Sequence, residues 1–455
     1  MDRRARDLLL GVVVAAVAGA ATHRAGLGPE AAWTAAIAGL CASWWVLEPI
    51  PIPATSLIPL AALPLAGVMP HGEVATAYGH WIILLLLGGF ILSTAVERSG
   101  AHRRLAFGMV RLTGGKGRRL VLGFMLASAV CSMWISNTAT TLMLLPVAIA
   151  VVKEVGDDRL ALPLLLGIAY AASVGGLATP IGTPPNVIFM GMYGTETGQE
   201  VSFIEWMGKG LPVVVVFLPI IWLYLGRRVR AFKAPPLPRL GAWRPAEKRV
   251  LIVFGVTALA WIFRTAPFGG WSALLGAEYA SDTTVAMAAV VAMFLVPNGE
   301  GERLLDWETA VKIPWGMLLL FGGGLAIAGA FQASGLSEAL GTALSHLASA
   351  PIVLVTLVIC LGVTFLTEVT SNTATATVLL PILGAAATAG GLDPAVLMIP
   401  ATLSASCAFM LPVATAPNAA VYGSGYVSPK QMAREGFALN LIGAVVITAV
   451  CMILL

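Results

Sequence analysis

The segment Ser136-Asn137-Thr138-Ala139-Thr140 recurs 235 residues later as Ser371-Asn372-Thr373-Ala374-Thr375, and each copy sits inside an apolar stretch, 120–153 and 350–388. A helix that crosses a bilayer needs about 20 apolar residues, and each arm beside the polar tip has only about 15. A stretch of this kind enters the membrane, turns on its polar residues and leaves again as a re-entrant hairpin. Two further matches keep nearly the same offset. Leu84 to Gly100 (LLLLGGFILSTAVERSG) returns near 318–335, and IGTPPN at 181–186 is echoed by VATAPN at 413–418. Matches in one order imply two structural repeats.

Composition fixes the solvent. The chain has 455 residues, of which 58% are hydrophobic and 11% charged, whereas soluble domains carry about 25% charged residues. That excludes a soluble enzyme, a nucleic-acid reader and a disordered chain, and makes this an all-α polytopic membrane protein. Spans are expected at 7–23, 30–47, 53–70, 80–97, 160–195, 206–226, 248–265, 283–298, 312–332, 393–428 and 435–455. These are about eleven transmembrane helices beside the two hairpins. The stretches 160–195 and 393–428 are too long for one crossing and are interrupted by Gly, Pro and Asn. The N-terminus, Arg3, Arg4 and Arg6 before Leu8 to Ala21, reads as a first span and not as a cleaved signal peptide.

Orientation follows from the basic residues. With the N-terminus in the cytoplasm, 24 of the 27 Lys and Arg fall inside and only Arg24, Lys209 and Arg264 outside. The division is then an N-terminal segment with the first helix (1–29), a first repeat (30–228), a basic cytoplasmic linker (229–247) and a second repeat (248–455). The basic run Arg227 to Arg249 reads as that linker and not as a nucleic-acid site. Because 80–97 runs inward and 312–332 outward, the repeats are inverted, which puts a shared site near the midplane where interrupted helices meet.

The polar tips define the chemistry. Carbonyl oxygens and an Asn Oδ suit a small alkali cation, while Asn amides, Thr hydroxyls and helix N-termini can donate to a carboxylate. Gly182, Pro184 and Pro185 break one long stretch and Pro412 and Pro417 the other, so that each break faces one tip. No Lys or Arg lies in these clusters. An anion held there needs neutral donors and co-bound cations, and two Na⁺ would neutralise a dianion. Glu368, three residues before Ser371, is the one acid at this depth. It admits two readings, ion coupling or a hairpin-stabilising hydrogen bond. Glu97 and Asp282 read as structural. The cysteines Cys41, Cys131, Cys360, Cys407 and Cys451 read as small core residues, and the scattered histidines suggest no metal site.

The paired SNT motifs, IGTPPN at 181–186 and SCAFMLPVATAPN at 406–418 resemble the divalent anion/sodium symporter family, in its bacterial di- and tricarboxylate branch. The similarity runs over nearly the whole chain. It implies a homodimer in the bacterial inner membrane, with a scaffold domain and a transport domain that carries both hairpins and moves as an elevator. It also implies a first Na⁺ site at Ser132, Ser136, Asn137 and Gly182, and a second at Thr367, Ser371, Asn372 and the Ala414 carbonyl. Substrate carboxylates would contact Asn137, Thr138, Asn372, Thr373 and Thr415. Ala416 stands where the family commonly has proline, and Ala420 where a larger aliphatic is usual. The expected activity is Na⁺-coupled import of C4 dicarboxylates such as succinate, malate or fumarate. A Na⁺-independent exchanger and a sulfate or other oxyanion symporter are the alternatives, and SNT in both halves favours carboxylate over sulfate. A lone Glu368 supplies no catalytic constellation for an intramembrane enzyme, and tips closing from both sides argue against a channel.

Overall fold

The computed structural model describes residues 2–114, 117–227, 229, 241–266, 269–344 and 350–455. Among these residues the regular structure is all helical. A first helix, α1 (Arg3–Arg24), packs on α2 (Pro29–Leu47). The expected single span at 53–70 is instead two short helices, α3 (Ile52–Thr55) and α4 (Ile58–Leu65), followed by α5 (His71–Tyr78). Pro51, Pro53, Pro59 and Pro64 lie in this region, and proline in a helix interior removes a donor and clashes with the preceding turn.

From α6 onward the two halves share one order of elements. The first half has α6 (Trp81–Ser99), α7 (Ala101–Thr113), the hairpin α8 (Arg118–Ser132) and α9 (Asn137–Val155), α10 (Ala161–Gly175), α11 (Pro184–Thr197) and α12 (Phe203–Gly226). Between the halves stand α13 (Pro245–Ile262), α14 (Gly270–Leu274), α15 (Asp282–Leu295) and α16 (Trp307–Ala310). The second half repeats the pattern as α17 (Trp315–Ala333), α18 (Leu336–Leu344), the hairpin α19 (Ile352–Thr367) and α20 (Asn372–Ala389), α21 (Ala395–Ala405), α22 (Ala416–Gly423) and α23 (Pro429–Leu454). Part of the expected linker, 230–240, lies outside the described residues.

Each hairpin is asymmetric. Its second arm, 19 residues in α9 and 18 in α20, is longer than the even division at the tip anticipates. By length and composition, eight helices among the described residues could cross a membrane, and both second arms are among them.

Packing ties the halves together. Within each half the first hairpin arm packs on the broken helix, α8 on α10 and α19 on α21, and that helix packs on the last one, α12 or α23. The second arms cross over: α9 packs on α22 and α20 on α11. α15 likewise packs on α6 and α4 on α17. The first interruption is buried in protein and the second borders a cavity, the two settings in which irregular backbone is tolerated at membrane depth.

Candidate functional site

Both tips and both breaks converge on one cavity of about 760 Å³. Its wall includes Ser136, Asn137, Thr138, Gly182, Ser371, Asn372, Thr373, Ala414 and Thr415. Thus the hairpins bring together nine of the eleven residues singled out from sequence. Ser132 and Thr367 lie just behind, fully buried, at the C-terminal ends of α8 and α19.

In the first half, Ser132 Oγ donates to Asn137 Oδ1 across the tip, and Thr179 Oγ1 donates to the Met133 carbonyl. Ser136 caps α9 by accepting from the Ala139 N–H at 3.2 Å. The broken stretch leaves helix α10 through Gly176–Ala178, turns over residues 180–182 between the extended residues Thr179 and Thr183, and restarts at Pro184, whose missing N–H costs nothing at the first turn. Gly182 and Gly176 pass backbone to backbone, so that a Cβ on Gly182 would strike the Gly176 carbonyl. Asn186, the last residue of IGTPPN, donates from Nδ2 to the Gly176 and Thr179 carbonyls at 2.9 and 2.8 Å and holds the break open.

The second half repeats the plan. Thr367 Oγ1 lies 2.6 Å from Asn372 Oδ1 and 2.8 Å from the Ala405 carbonyl, with one proton between two acceptors. Oxygens outnumber protons here, which suits a bound cation. Ser371 makes no capping hydrogen bond. Asn418 Nδ2 donates to the Ala408 and Leu411 carbonyls, both at 3.1 Å, and Thr415 Oγ1 caps α22. The breaks also meet each other, with Thr183 Oγ1 and Ser406 Oγ 3.3 Å apart.

Glu368 makes the hydrogen bonds of the second of its two readings, and it also lines the cavity. Its Oε1 accepts from the Phe409 and Met410 N–H groups at 2.6 and 2.8 Å and from Asn440 Nδ2 at 2.8 Å, and its Oε2 from the Leu411 N–H at 2.9 Å. This buried carboxylate therefore anchors the second break. Asp282 is structural as expected, accepting from Phe203 N–H and Arg264. Glu97 differs from Asp282: like Glu368 it lines the cavity, and it has Ser93 as its hydrogen-bond donor at 3.3 Å. Lys312 also reaches the cavity wall, outside the neutral clusters, a position that spacing around the tips does not reveal. Sequence reasoning gave no role to Asn440, Asn186 or Asn418. The last two end the very motifs that revealed the repeat, and a polar residue recurring inside apolar helices was their signal.

A family model described as citrate transporter matches residues 42–397. The sodium-dependent dicarboxylate transporter SdcS of Staphylococcus saprophyticus is 42% identical over 451 residues, covering 93% of this chain and 86% of the relative. The chain belongs to this citrate transporter family, the divalent anion/sodium symporters. SdcS of Staphylococcus aureus (strain NCTC 8325) is 41% identical over 436 residues, covering 90% of this chain and 83% of the relative. Among solved structures, the Alcanivorax borkumensis YdaH transporter, whose topology is described as unusual, superposes with a TM-score of 0.57 at 14% identity, over 83% of this chain and 86% of that one. That likeness concerns the fold alone. As a member of this family the chain is a multi-pass membrane transporter and not an enzyme.

Proposed function

We propose that the chain is a Na⁺-coupled dicarboxylate symporter, importing C4 acids such as succinate, malate or fumarate. The observation that carries the reading is the pairing of two oxygen-rich tips about one cavity that both face. The relatives, named sodium-dependent dicarboxylate transporters, support it. Ser132, Ser136, Asn137 and Gly182 hold one Na⁺; Thr367, Ser371, Asn372 and Ala414 hold the other. The substrate carboxylates take the amides of Asn137 and Asn372 and the hydroxyls of Thr138, Thr373 and Thr415. A dianion in a poorly screened cavity repels its own charges, and a cation about 4 Å away offsets roughly 4 kcal/mol at an effective dielectric of 20. Two Na⁺ thus turn an unfavourable anion site into a neutral one.

Four further parts belong to the same reading. The division is 1–29, 30–228, 229–247 and 248–455, with inverted repeats and re-entrant hairpins at 120–153 and 350–388. The N-terminus is cytoplasmic and the membrane is the bacterial inner membrane. The protein works as a lipid-embedded homodimer. A transport domain with both hairpins moves against a scaffold as an elevator.

Uptake of radiolabelled succinate into proteoliposomes tests the function. An inward Na⁺ gradient is expected to drive accumulation that K⁺ does not. Uptake indifferent to Na⁺, or dependent on internal dicarboxylate, would instead indicate an exchanger.

A further inference from the structure

A second cleft, of about 340 Å³, opens where α10 begins, α12 ends and α23 begins, and its wall includes Arg159, Leu162, Leu225, Arg227, Gln431 and Glu435. It is remote in the fold from the tips and uses none of the residues assigned to transport. The floor is apolar, from Leu162, Pro163 and Leu225, and the rim is polar.

The rim has donors to spare. Glu435, the one acid among the described residues that line the cleft, is buried and already matched by Arg227 at 2.5 Å and Arg434 at 2.9 Å. The Arg227 guanidinium also lies over the Tyr224 ring, 3.8 Å from its centroid, and is fixed in place. Arg159 is exposed, and its backbone N–H donates to Asp157 Oδ1 at 3.0 Å, which leaves its guanidinium facing the cleft. Gln431 spends its Oε1 on Ser428, accepting from N–H and Oγ at 2.9 Å, which leaves its Nε2 hydrogens without an acceptor among the described residues. Among the described residues that line the cleft, two guanidinium groups face one carboxylate, and Arg227 with Arg434 already matches that carboxylate, so the charge left to bind is that of Arg159 and its ligand is an anion with acceptor oxygens.

Depth identifies the rest of that ligand. The ends of α8, α10, α12 and α23 gather on this face, where Arg118 donates to the Arg227 carbonyl and Trp222 Nε1 to the Arg118 carbonyl at 2.9 Å. Arginines and a half-exposed tryptophan at the ends of apolar helices mark the water–lipid interface. We propose that this cleft binds the phosphodiester of an anionic phospholipid. The phosphate oxygens sit between Arg159 and the Gln431 amide, and the glycerol and first acyl carbons lie on Leu162, Pro163 and Leu225. A free phosphate shares the headgroup chemistry but leaves the apolar floor uncovered. The proposal does not depend on which solute the protein carries.

Native mass spectrometry of the purified full-length protein, delipidated and then titrated with phosphatidylglycerol or phosphatidylcholine, tests it. Wild type is expected to retain phosphatidylglycerol preferentially, and Arg159→Gln to lower that preference about fivefold, the worth of one basic residue at an anionic surface. Equal preference in wild type and R159Q would overturn the proposal. In a parallel arm, inorganic phosphate or glycerol 3-phosphate is added at millimolar concentration. Complete displacement of the lipid would assign the cleft to soluble phosphate and overturn the lipid reading. Should R159Q unfold at a lower temperature than wild type, raising the salt on wild type tests the same charge. Retention that ignores ionic strength overturns the proposal.

Discussion

The two half-sites have the same tip but hold their broken helices differently. In the first, Met133 follows Ser132, and the break is pinned by Thr179 on the Met133 carbonyl and by glycines pressed together at Gly176 and Gly182. In the second, Glu368 stands at the position of Met133, and its carboxylate gathers three backbone N–H groups and Asn440. Alanine occupies the counterparts of the two glycines, Ala408 and Ala414. One half closes by contact and the other by charge. The two halves keep the same geometry at the tip and differ in the support behind it.

The comparison can be broken most forcefully at the shared tip. Asn137→Ala and Asn372→Ala each remove an oxygen offered to a cation and an amide offered to substrate. Either is expected to lower Na⁺-driven uptake at least about 100-fold, since charged hydrogen bonds are worth about 1.5–3 kcal/mol each. Thermal unfolding should change little. If either variant transports normally, the halves do not share one site.

Next in size is the support of the second break. Glu368→Leu leaves three N–H groups without an acceptor and is expected to cost about 3 kcal/mol or more, read as a loss of folded protein on heating. Met133→Leu, at the same place in the first half, should cost under about 1.5 kcal/mol. Similar melting shifts for the two would erase the distinction between closure by charge and closure by contact.

Gly182→Ala and Ala414→Gly form the third pair. A methyl on Gly182 meets the Gly176 carbonyl, so this variant should be poorly folded or inactive. Ala414→Gly removes only a methyl and should cost about 1 kcal/mol or less. Detergent-solubilised yield and succinate uptake read both. The smallest effect is expected at the caps: Ser136→Ala loses the bond from Ala139 and about 1 kcal/mol of helix stability, whereas Ser371→Ala, with no cap to lose, should spare stability and raise the half-saturating Na⁺ concentration.

Much of this site was legible in the sequence because its markers are polar or helix-breaking residues in apolar surroundings. Asn137, Asn372, Gly182 and Pro417 stand out for that reason, and the recurrence of Asn137 as Asn372 and of Pro185 as Pro417 at nearly one offset places them in two halves. Support residues are harder to read. Glu368 was visible as a buried acid, yet its donors come from backbone more than 40 residues away, which no local pattern encodes. Asn440 had a signal of its own, one amide in an otherwise apolar stretch of α23, but its partner is set by tertiary packing. The split of 53–70 into α3 and α4 was written in its prolines, and hydropathy alone outweighed them. Lys312 entered the cavity wall through the placement of α17 against the tips, which only the fold defines.

The crossover of the second hairpin arms, α9 on α22 and α20 on α11, carries a lesson about inheritance. Each copy of the duplicated segment is walled by its twin, so a mutation in one half is selected in the context of the other. A change of cargo in this lineage therefore requires paired steps, one on each side of the cavity, and traces of such pairs are the record to look for among its relatives.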